Sequence, residues 1–231
     1  MTSSKTLLII AAHPDDELLG CGGSILKWNQ SDIIIKVLYL SEGVSARSSI
    51  NEHKNWDKEI NDREIMAKAY AAAANLEIVG FMRKPNLRTK EIPMLDLVKE
   101  ISSYIQKIKP NEIYTHFPGD MNSDHRVCFE AVLTACRPFS ENHVEKLYSF
   151  EIPSSTNWSS SLDLPTFKPN HFINIESTIS KKIEMLDYYK YEMRNFPHPR
   201  SKENIKALAQ IRGSDCGIKF AEGFMLIRSV S

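Results

Sequence analysis

Short, almost continuously apolar runs alternate with stretches of helical periodicity along most of the chain. The runs are rich in β-branched and aromatic residues, which is typical of strands covered on both faces in a parallel sheet. They span residues 5–12, 33–40, 77–81, 112–117 and 146–152, and the helical stretches span 18–29, 56–75, 93–109 and 124–137. This order predicts a doubly wound, three-layer α/β/α fold with a mostly parallel sheet.

A Ser- and Pro-rich segment, 153–170, separates this pattern from the C-terminal part of the chain. The remaining pattern predicts a long helix near 176–195, a second helix near 202–212, and a terminal strand within 217–228. With 231 residues, the chain suits one core. We therefore expect a single domain, 1–231, with an α/β core over 1–152 and a C-terminal extension over 153–231 that completes the site.

Two polar clusters lie where predicted strands end. HPDDE occupies residues 13–17, and HFPGDMNSDHR occupies residues 116–126. Ligands of such sheets bind outside the carboxyl ends of the strands, so we expect the active site at this edge. Loops that open onto the same edge are predicted to set specificity, together with the Ser-rich segment; they span 42–55, 82–92 and 153–170.

Charge and composition exclude several classes of function. Lys and Arg number 29, as do Asp and Glu, so no global basic field favours nucleic acid or an anionic membrane. We find no apolar segment long enough for a transmembrane helix and no signal-peptide pattern, and we expect a cytoplasmic protein. The four cysteines are scattered, which argues against a zinc knuckle or a disulfide framework.

The first cluster has two chemical interpretations. Pro14 suits the first position of a helix, where acidic side chains are favoured, but such capping does not explain His13. In a helix or tight turn, His13 and Asp16 share one face and supply two ligands of a catalytic zinc site. Asp15 would then face the water as a base. The glycines that follow, at 20, 22 and 23, suggest a nucleotide-binding loop instead, although GCGG lacks the full spacing.

The second cluster offers the missing third ligand. Asp124 and His125 begin a predicted helix after the fourth strand. His125 would complete the metal site, and Asp124 would accept a hydrogen bond or orient a ligand. Taken alone, the pair equally fits an Asp helix cap beside a solvated histidine.

Together, AAHPDDELLGCGGSI and DMNSDHR resemble the PIG-L/LmbE-like superfamily of zinc-dependent N-deacetylases, which remove acetyl groups from N-acetylglucosamine-type sugars and related conjugates. REIMAKAYAAAANL and the segment from PHPRS to FMLIR are also similar to this family. The resemblance implies a Rossmann-like core, a Zn²⁺ cofactor (with Fe²⁺ as another divalent candidate), a small N-acetylated sugar as substrate, and a homo-oligomer.

The resemblance also implies roles for individual residues. His13, Asp16 and His125 would hold the metal, and Asp15 would act as general base. Arg63 would bind substrate or the developing oxyanion.

Other positions carry weaker expectations. In several well-known members a histidine stands two residues before the Asp-His pair and is paired with that Asp. This chain has Asn122 at that position, so its side-chain amide or His116 would replace that imidazole. His198 and Arg200 would reach the site from the C-terminal region, although HPHPRS equally fits a rigid linker. Arg47, in a loop at the active edge, would contact a phosphate or carboxylate of the substrate.

These expectations predict a metal-dependent hydrolase with a zinc-activated water. Two alternatives stay open: an amidase acting on a thiol-sugar conjugate at the same metal site, and a non-enzymatic nucleotide-binding module.

Overall fold

The structure is a computed structural model that describes residues 5–47, 56–138, 144–159 and 164–230, with only the backbone of Arg47. Within these residues the strands are β1 (Thr6–Ala11), β2 (Ile34–Ser41), β3 (Glu77–Lys84), β4 (Glu112–His116), β5 (Lys146–Phe150), β6 (His171–Asn174) and β7 (Ala221–Ser229). The helices are α1 (Asp16–Trp28), α2 (Asp57–Ala73), α3 (Met94–Ile108), α4 (Ser123–Ala135), α5 (Ile179–Met185) and α6 (Lys202–Ser214). Short 3-10 turns span Ser45–Arg47, Thr89–Glu91 and Leu186–Tyr189.

One mixed sheet runs through the molecule in the order β3-β2-β1-β4-β5-β7-β6. The first five strands in this order are parallel, whereas β7 is antiparallel to both β5 and β6. The strand order reverses between β1 and β4, and such a switch point opens a crevice at the carboxyl ends of the strands. HPDDE and DMNSDHR follow these two neighbouring strands.

Helices cover both faces of the sheet, as the sequence predicted. Alternate residues of β1 face opposite layers: Leu7 and Ile9 pack with α1 and α2, whereas Leu8 and Ile10 pack with α3 and α4. Both faces of the central strand are therefore buried, which explains its nearly continuous hydrophobicity. The fold is the expected three-layer, Rossmann-like α/β/α arrangement.

The glycines of α1 allow the helix to pack closely against its neighbours. A Cβ atom on Gly20 would lie 2.5 Å from the Phe150 ring, and one on Gly23 would lie 2.8 Å from the Ile175 side chain. Glycine is required at these positions because the helix packs too closely for a side chain. The glycines therefore do not indicate a nucleotide-binding loop.

Two local predictions are wrong. The predicted helix near 176–195 is shorter: α5 ends at Met185 and continues as the 3-10 turn Leu186–Tyr189. The tighter turn brings Tyr189 inward, where its hydroxyl donates to Glu17, and tertiary contact overrides the helical periodicity. Pro14 also lies outside α1, which begins only at Asp16.

No helix among the described residues combines the length and apolarity needed to cross a membrane. All four cysteines are free; Cys21, Cys128 and Cys136 are buried, and Cys216 is exposed.

Candidate metal centre and active site

Three side chains from two strand ends converge at the carboxyl edge of the sheet. His13 follows β1, Asp16 opens α1, and His125 lies in the first turn of α4. One potential ligand atom from each lies within 4.8 Å of the others, and all three residues are buried. The predicted ligands therefore meet in one cluster because β1 and β4 are parallel neighbours.

The cluster keeps buried polar atoms without hydrogen bonds. Among the described residues, Asp16 Oδ1 and His125 Nε2 have no hydrogen-bond partner. Buried polar atoms are nearly always paired, so a carboxylate oxygen and an imidazole nitrogen that both lack hydrogen bonds within one cluster call for an explanation. Nitrogen from His and oxygen from Asp are ligands that Zn²⁺ accepts, and three of them match a catalytic site. The residues present thus fit a divalent metal.

Asp120, which the sequence analysis did not single out, fixes the orientation of His125. Its Oδ2 lies 3.1 Å from His125 Nδ1, on the opposite side of the ring from the free Nε2. The carboxylate also accepts hydrogen bonds from Ser155 Oγ, Thr156 Oγ1 and the backbone N–H of Asn122. A carboxylate behind a metal-binding histidine fixes its tautomer and raises its basicity.

Asp124 performs the same task for His13. Its Oδ2 lies 3.1 Å from His13 Nε2, while Nδ1 of that ring lies 3.3 Å from Asp16 Oδ2. The backbone N–H of Leu87 and the Thr89 hydroxyl donate to Asp124, so the loop after β3 supports the metal cluster. Burial opposes ionisation of this carboxyl, but His13 first, and then the hydrogen bonds from Thr89 and Leu87, keep the pKa of Asp124 below its ordinary value.

The electrostatics of the cluster favour a cation. Burial alone would raise the pKa of Asp16, but His125 and His116 outweigh it and hold that pKa well below the usual range. Burial likewise would lower the pKa of His125, yet Asp16 and Asp120 raise it to about 10. Two carboxylates that attract a proton to this imidazole so strongly also favour a metal ion in its place.

Asp15 stands in an unusual backbone conformation beside the cluster. Its φ of 130° is rare for a residue with a side chain and costs on the order of 1–3 kcal/mol. Its N–H donates to the buried Glu17 carboxylate at 3.0 Å, which stabilises the turn. Burial raises the pKa of Asp15 to about 6, although Arg63 and Arg200 both oppose the rise.

Two arginines and a second carboxylate surround Asp15. Arg63 Nη2 lies 3.3 Å from Asp15 Oδ1, and Arg200 Nη1 lies 3.0 Å from Asp15 Oδ2. Glu192 lies on their other side, 2.7 Å from Arg63 Nη1 and 3.6 Å from Arg200 Nη1. We call Asp15, Arg63, Glu192 and Arg200 the charge quartet. Its charges alternate, and Glu192 was not identified from sequence.

Arg63 is held mainly by the protein itself. Besides the quartet, its guanidinium donates to the carbonyl oxygens of Pro14 and Gly43. The side chain is 5% exposed. Arg63 therefore fixes the Pro14–Asp15 turn while also reaching the cavity.

A cavity of about 120 Å³ joins the metal cluster to the charge quartet. Its lining residues are His13, Asp15, Gly43, Arg63, Asn86, Leu87, Asn122, Glu192 and Arg200. Asn122 caps α4, and its Oδ1 accepts from the Asp124 N–H at 2.9 Å. This hydrogen bond leaves the Asn122 Nδ2 amide as a donor toward a ligand.

Two other predicted residues, His116 and His198, do not line this cavity. His116 is fully buried behind the cluster, where its ring stacks on His125 at 3.9 Å and its Nε2 accepts from the Ala12 N–H. His198 accepts from the Arg200 N–H and packs against Trp158, so it supports the segment that carries Arg200. The side chain of Arg47, like residues 48–55 of its loop, lies outside the described residues.

Known proteins resemble this chain in both sequence and fold. The chain is 26% identical over 160 residues to the uncharacterized deacetylase YaiS of Escherichia coli K12, covering 65% of this chain and 76% of that protein. It is 24% identical over 237 residues to diacetylchitobiose deacetylase of Thermococcus kodakarensis, covering 98% of this chain and 84% of that protein. N,N'-diacetylchitobiose deacetylase of Pyrococcus horikoshii, solved with its inhibitor MPG, has a TM-score of 0.76 at 17% identity, over 97% of this chain and 84% of that one, which shows a shared fold.

The family match covers the whole metal cluster. Residues 8–136 match the family described as PIG-L: GlcNAc-PI de-N-acetylase. This range contains His13, Asp15, Asp16, Arg63 and His125, and it spans more than half of the chain. The chain therefore belongs to the PIG-L family.

Proposed function

We propose that the protein is a metal-dependent N-deacetylase that hydrolyses the acetamido group of an N-acetylglucosamine-type sugar or sugar conjugate. The observation that carries this proposal is the buried cluster of His13, Asp16 and His125, whose His13 lines the same cavity as Asp15. The names of the relatives, two of which are sugar deacetylases by name, support the substrate class.

The cofactor we propose is Zn²⁺, held by His13, Asp16 and His125, with Fe²⁺ as an alternative. A bound divalent metal supplies a Lewis acid for the amide carbonyl and lowers the pKa of a water molecule toward neutrality. Asp120 and Asp124 orient the two imidazoles from behind.

Asp15 is the general base in this proposal. Its Oδ1 accepts no hydrogen bond from the described residues and is held only by the ion pair with Arg63 Nη2 at 3.3 Å, so we assign to this oxygen the proton of the attacking water. A carboxyl with a pKa near 6 is basic enough to take that proton and acidic enough to return it to the leaving amine. Arg63 and Arg200 keep the carboxylate in place throughout.

Asn122 is the candidate oxyanion donor. Asn122 lines the cavity and its Oδ1 is fixed by the Asp124 N–H, which leaves its Nδ2 amide as the donor. A neutral amide stabilises developing negative charge less than an imidazolium does.

The experiment measures acetate release from a panel of N-acetyl sugars by protein loaded with Zn²⁺ or Fe²⁺. We expect turnover by the wild type and a loss of about 10²–10⁴-fold in Asp15→Asn, without loss of bound metal. Asp96→Asn, an exposed acid at the start of α3, is the matched control and keeps full activity. Wild-type turnover in metal-loaded Asp15→Asn contradicts the assignment of the base.

The same assay separates the other functions. A panel that includes N-acyl thiol-sugar conjugates identifies an amidase if only those conjugates are hydrolysed. Protein that binds no metal and releases no acetate contradicts both hydrolases.

A further inference from the structure

A buried carboxylate that the proposed chemistry does not use lies two residues after the general base. Glu17 belongs to the first turn of α1 and is fully buried. Its Oε2 accepts a hydrogen bond from the Asp15 N–H at 3.0 Å, and its Oε1 accepts one from the Tyr189 hydroxyl at 2.6 Å. Each oxygen therefore has a donor, as a carboxylate removed from water requires.

The first of these contacts fixes an unfavourable backbone conformation. Asp15 has a φ of 130°, which residues with a side chain rarely adopt. Such a conformation persists only where the surrounding structure enforces it. The Glu17 carboxylate supplies an enforcing contact because it holds the Asp15 N–H. It thereby sets the direction in which the Asp15 side chain leaves the backbone.

The second contact joins Glu17 to the C-terminal part of the chain. Tyr189 is fully buried at the end of the 3-10 turn that follows α5. Its carbonyl oxygen accepts from the Glu192 N–H at 2.8 Å. The Glu192 carboxylate lies 2.7 Å from Arg63 Nη1, and Arg63 Nη2 lies 3.3 Å from Asp15 Oδ1. The Tyr189 hydroxyl thus connects Glu17 to the turn that positions Glu192.

These contacts form a closed ring that begins and ends at the general base. In order, its members are Asp15, Glu17, Tyr189, Glu192 and Arg63. One end of the ring holds the backbone N–H of Asp15, and the other end holds its Oδ1. A base that is fixed at both points has little freedom to turn away from the attacking water. Such orientation matters because a displacement of about 1 Å at a reacting group can cost about 10²-fold in rate.

The neighbouring metal ligand is held by contacts outside this ring. Asp16 Oδ2 accepts from the His13 N–H at 2.9 Å, and the Asp16 N–H donates to the His13 carbonyl oxygen at 3.3 Å. Neither contact involves Glu17 or Tyr189. Breaking the ring should therefore disturb Asp15 and leave the metal ligands in place.

We propose that Glu17 and Tyr189 are positioning residues for the reaction, and that the hydrogen bond between them closes the ring that orients Asp15. This inference rests on the proposed deacetylase function, in which Asp15 is the general base. Neither residue lines the cavity at the metal cluster. They act on the reaction through Asp15 and Glu192.

The first test removes a single hydroxyl group. Initial rates of acetate release from N-acetylglucosamine and N,N'-diacetylchitobiose are measured with metal-loaded Tyr189→Phe. We expect kcat to fall by about tenfold, with KM within about twofold of the wild type and full metal content. A general loss of structure would change metal content as well as kcat.

Tyr70→Phe is the matched control for this variant. Tyr70 is also fully buried, and its ring packs against that of Tyr189 at a centroid distance of 5.8 Å. Its hydroxyl has no hydrogen-bond partner among the described residues. Removal of this hydroxyl should leave kcat at the wild-type value.

Two substitutions of Glu17 separate hydrogen bonding from packing. Glu17→Gln keeps an oxygen for the Asp15 N–H and offers an amide to the Tyr189 hydroxyl oxygen, so it should retain most of kcat. Glu17→Met has a similar volume but no such acceptor, and its kcat should fall by about 10²-fold. Equal kcat in the two variants would overturn the inference.

A double substitution tests whether the ring is closed. If one break already opens it, Tyr189→Phe combined with Glu192→Ala should lower kcat by less than the product of the two single reductions. The same pair should be non-additive in urea unfolding, a measurement that needs no substrate. Tyr70→Phe combined with Glu192→Ala should be additive in both.

The outcomes separate this inference from the proposed function. If the wild type releases acetate and Tyr189→Phe keeps the wild-type kcat, the inference is overturned and the deacetylase function stands. Loss of metal in Tyr189→Phe, or a raised KM in place of the lowered kcat, overturns it too. Failure of the wild type to release acetate contradicts the proposed function for these sugars, and additive unfolding energies then overturn the ring independently.

Discussion

The two sides of the candidate active site are built from different parts of the chain and carry different chemistry. The metal cluster, with His13, Asp16 and His125, presents one carboxylate and two imidazoles that follow β1 and β4. The charge quartet presents two guanidiniums, and its Glu192 and Arg200 come from the segment between the Leu186–Tyr189 turn and α6. The metal cluster therefore attracts a cation, whereas the charge quartet already contains two cationic side chains, those of Arg63 and Arg200.

This difference indicates that the two sides have separate roles, one in metal binding and the other in turnover. The proposed ligands His13 and His125 are fixed by the carboxylates of Asp124 and Asp120. Asp15 belongs to both sides, because it adjoins Asp16 in sequence and contacts both arginines. We therefore expect substitutions on the first side to change metal binding, and substitutions on the second side to change turnover with the metal retained.

The largest effect is expected on the side of the metal cluster. His125→Ala removes one of three ligands, so bound metal should fall well below about one ion per chain and acetate release should fall by about 10²-fold or more. Elemental analysis of the purified protein measures the bound metal, and the acetate assay measures turnover. His171→Ala, on β6, removes an imidazole away from the cluster and should change neither. One full equivalent of metal in His125→Ala would refute the ligand assignment.

A smaller effect is expected behind the same ligand. Asp120→Asn weakens the support of His125 Nδ1, so metal affinity should fall by about 10–100-fold in competition with a chelator. Thr156→Val removes only one of the hydrogen bonds to Asp120 and should cause a lesser loss. An unchanged metal affinity in Asp120→Asn would show that the orientation of His125 does not depend on the Asp120 carboxylate.

The charge quartet should behave differently. Glu192→Ala leaves Arg63 and Arg200 without their second carboxylate, and both guanidiniums are then free to shift relative to Asp15. We expect kcat to fall by about tenfold with metal content unchanged, and stability to fall by about 1–3 kcal/mol in urea unfolding. Glu192→Gln keeps an acceptor for Arg63 and should recover part of the activity. Loss of metal in Glu192→Ala would abolish the distinction between the two sides.

The smallest effect on the site is expected from α1. Gly23→Ala places a Cβ 2.8 Å from Ile175, and overpacking of about 1–3 kcal/mol exceeds the gain of about 1 kcal/mol in helix propensity. In Gly22→Ala the new Cβ meets a terminal methyl group of Leu18 at 2.6 Å, which can shift by side-chain rotation, so this variant should be destabilised less. Thermal unfolding ranks the two, and metal affinity should stay at the wild-type value in both. Equal stability of the two variants would mean that the Ile175 side chain shifts away from the new Cβ at little cost in free energy.

Much of the fold was predictable because its signals are local. The strands are nearly continuous apolar runs, and the three-layer order follows from their alternation with helices. The helix predicted near 176–195 failed because Tyr189 is drawn toward Glu17 by a contact that spans 172 residues. Periodicity alone contains no information about such a partner.

The same reasoning applies to the site. His13 and Asp16 were predictable because they share one turn, and His125 because it follows a neighbouring strand. Asp120 and Glu192 were missed because their roles depend on partners in distant segments, such as Ser155 for Asp120 and Arg63 for Glu192. His116 lies at the expected strand end but faces the interior behind His125, a direction that its position in the sequence did not reveal.

The charge quartet has a consequence for how a substrate arrives. Its two guanidiniums and two carboxylates sum to zero when all are ionised, and their alternation cancels the field within a short distance. At physiological salt the Debye length is only about 8 Å, which weakens what remains. Electrostatic steering therefore contributes little to capture at this side of the cavity. An uncharged sugar meets it by ordinary diffusion and is recognised only on contact.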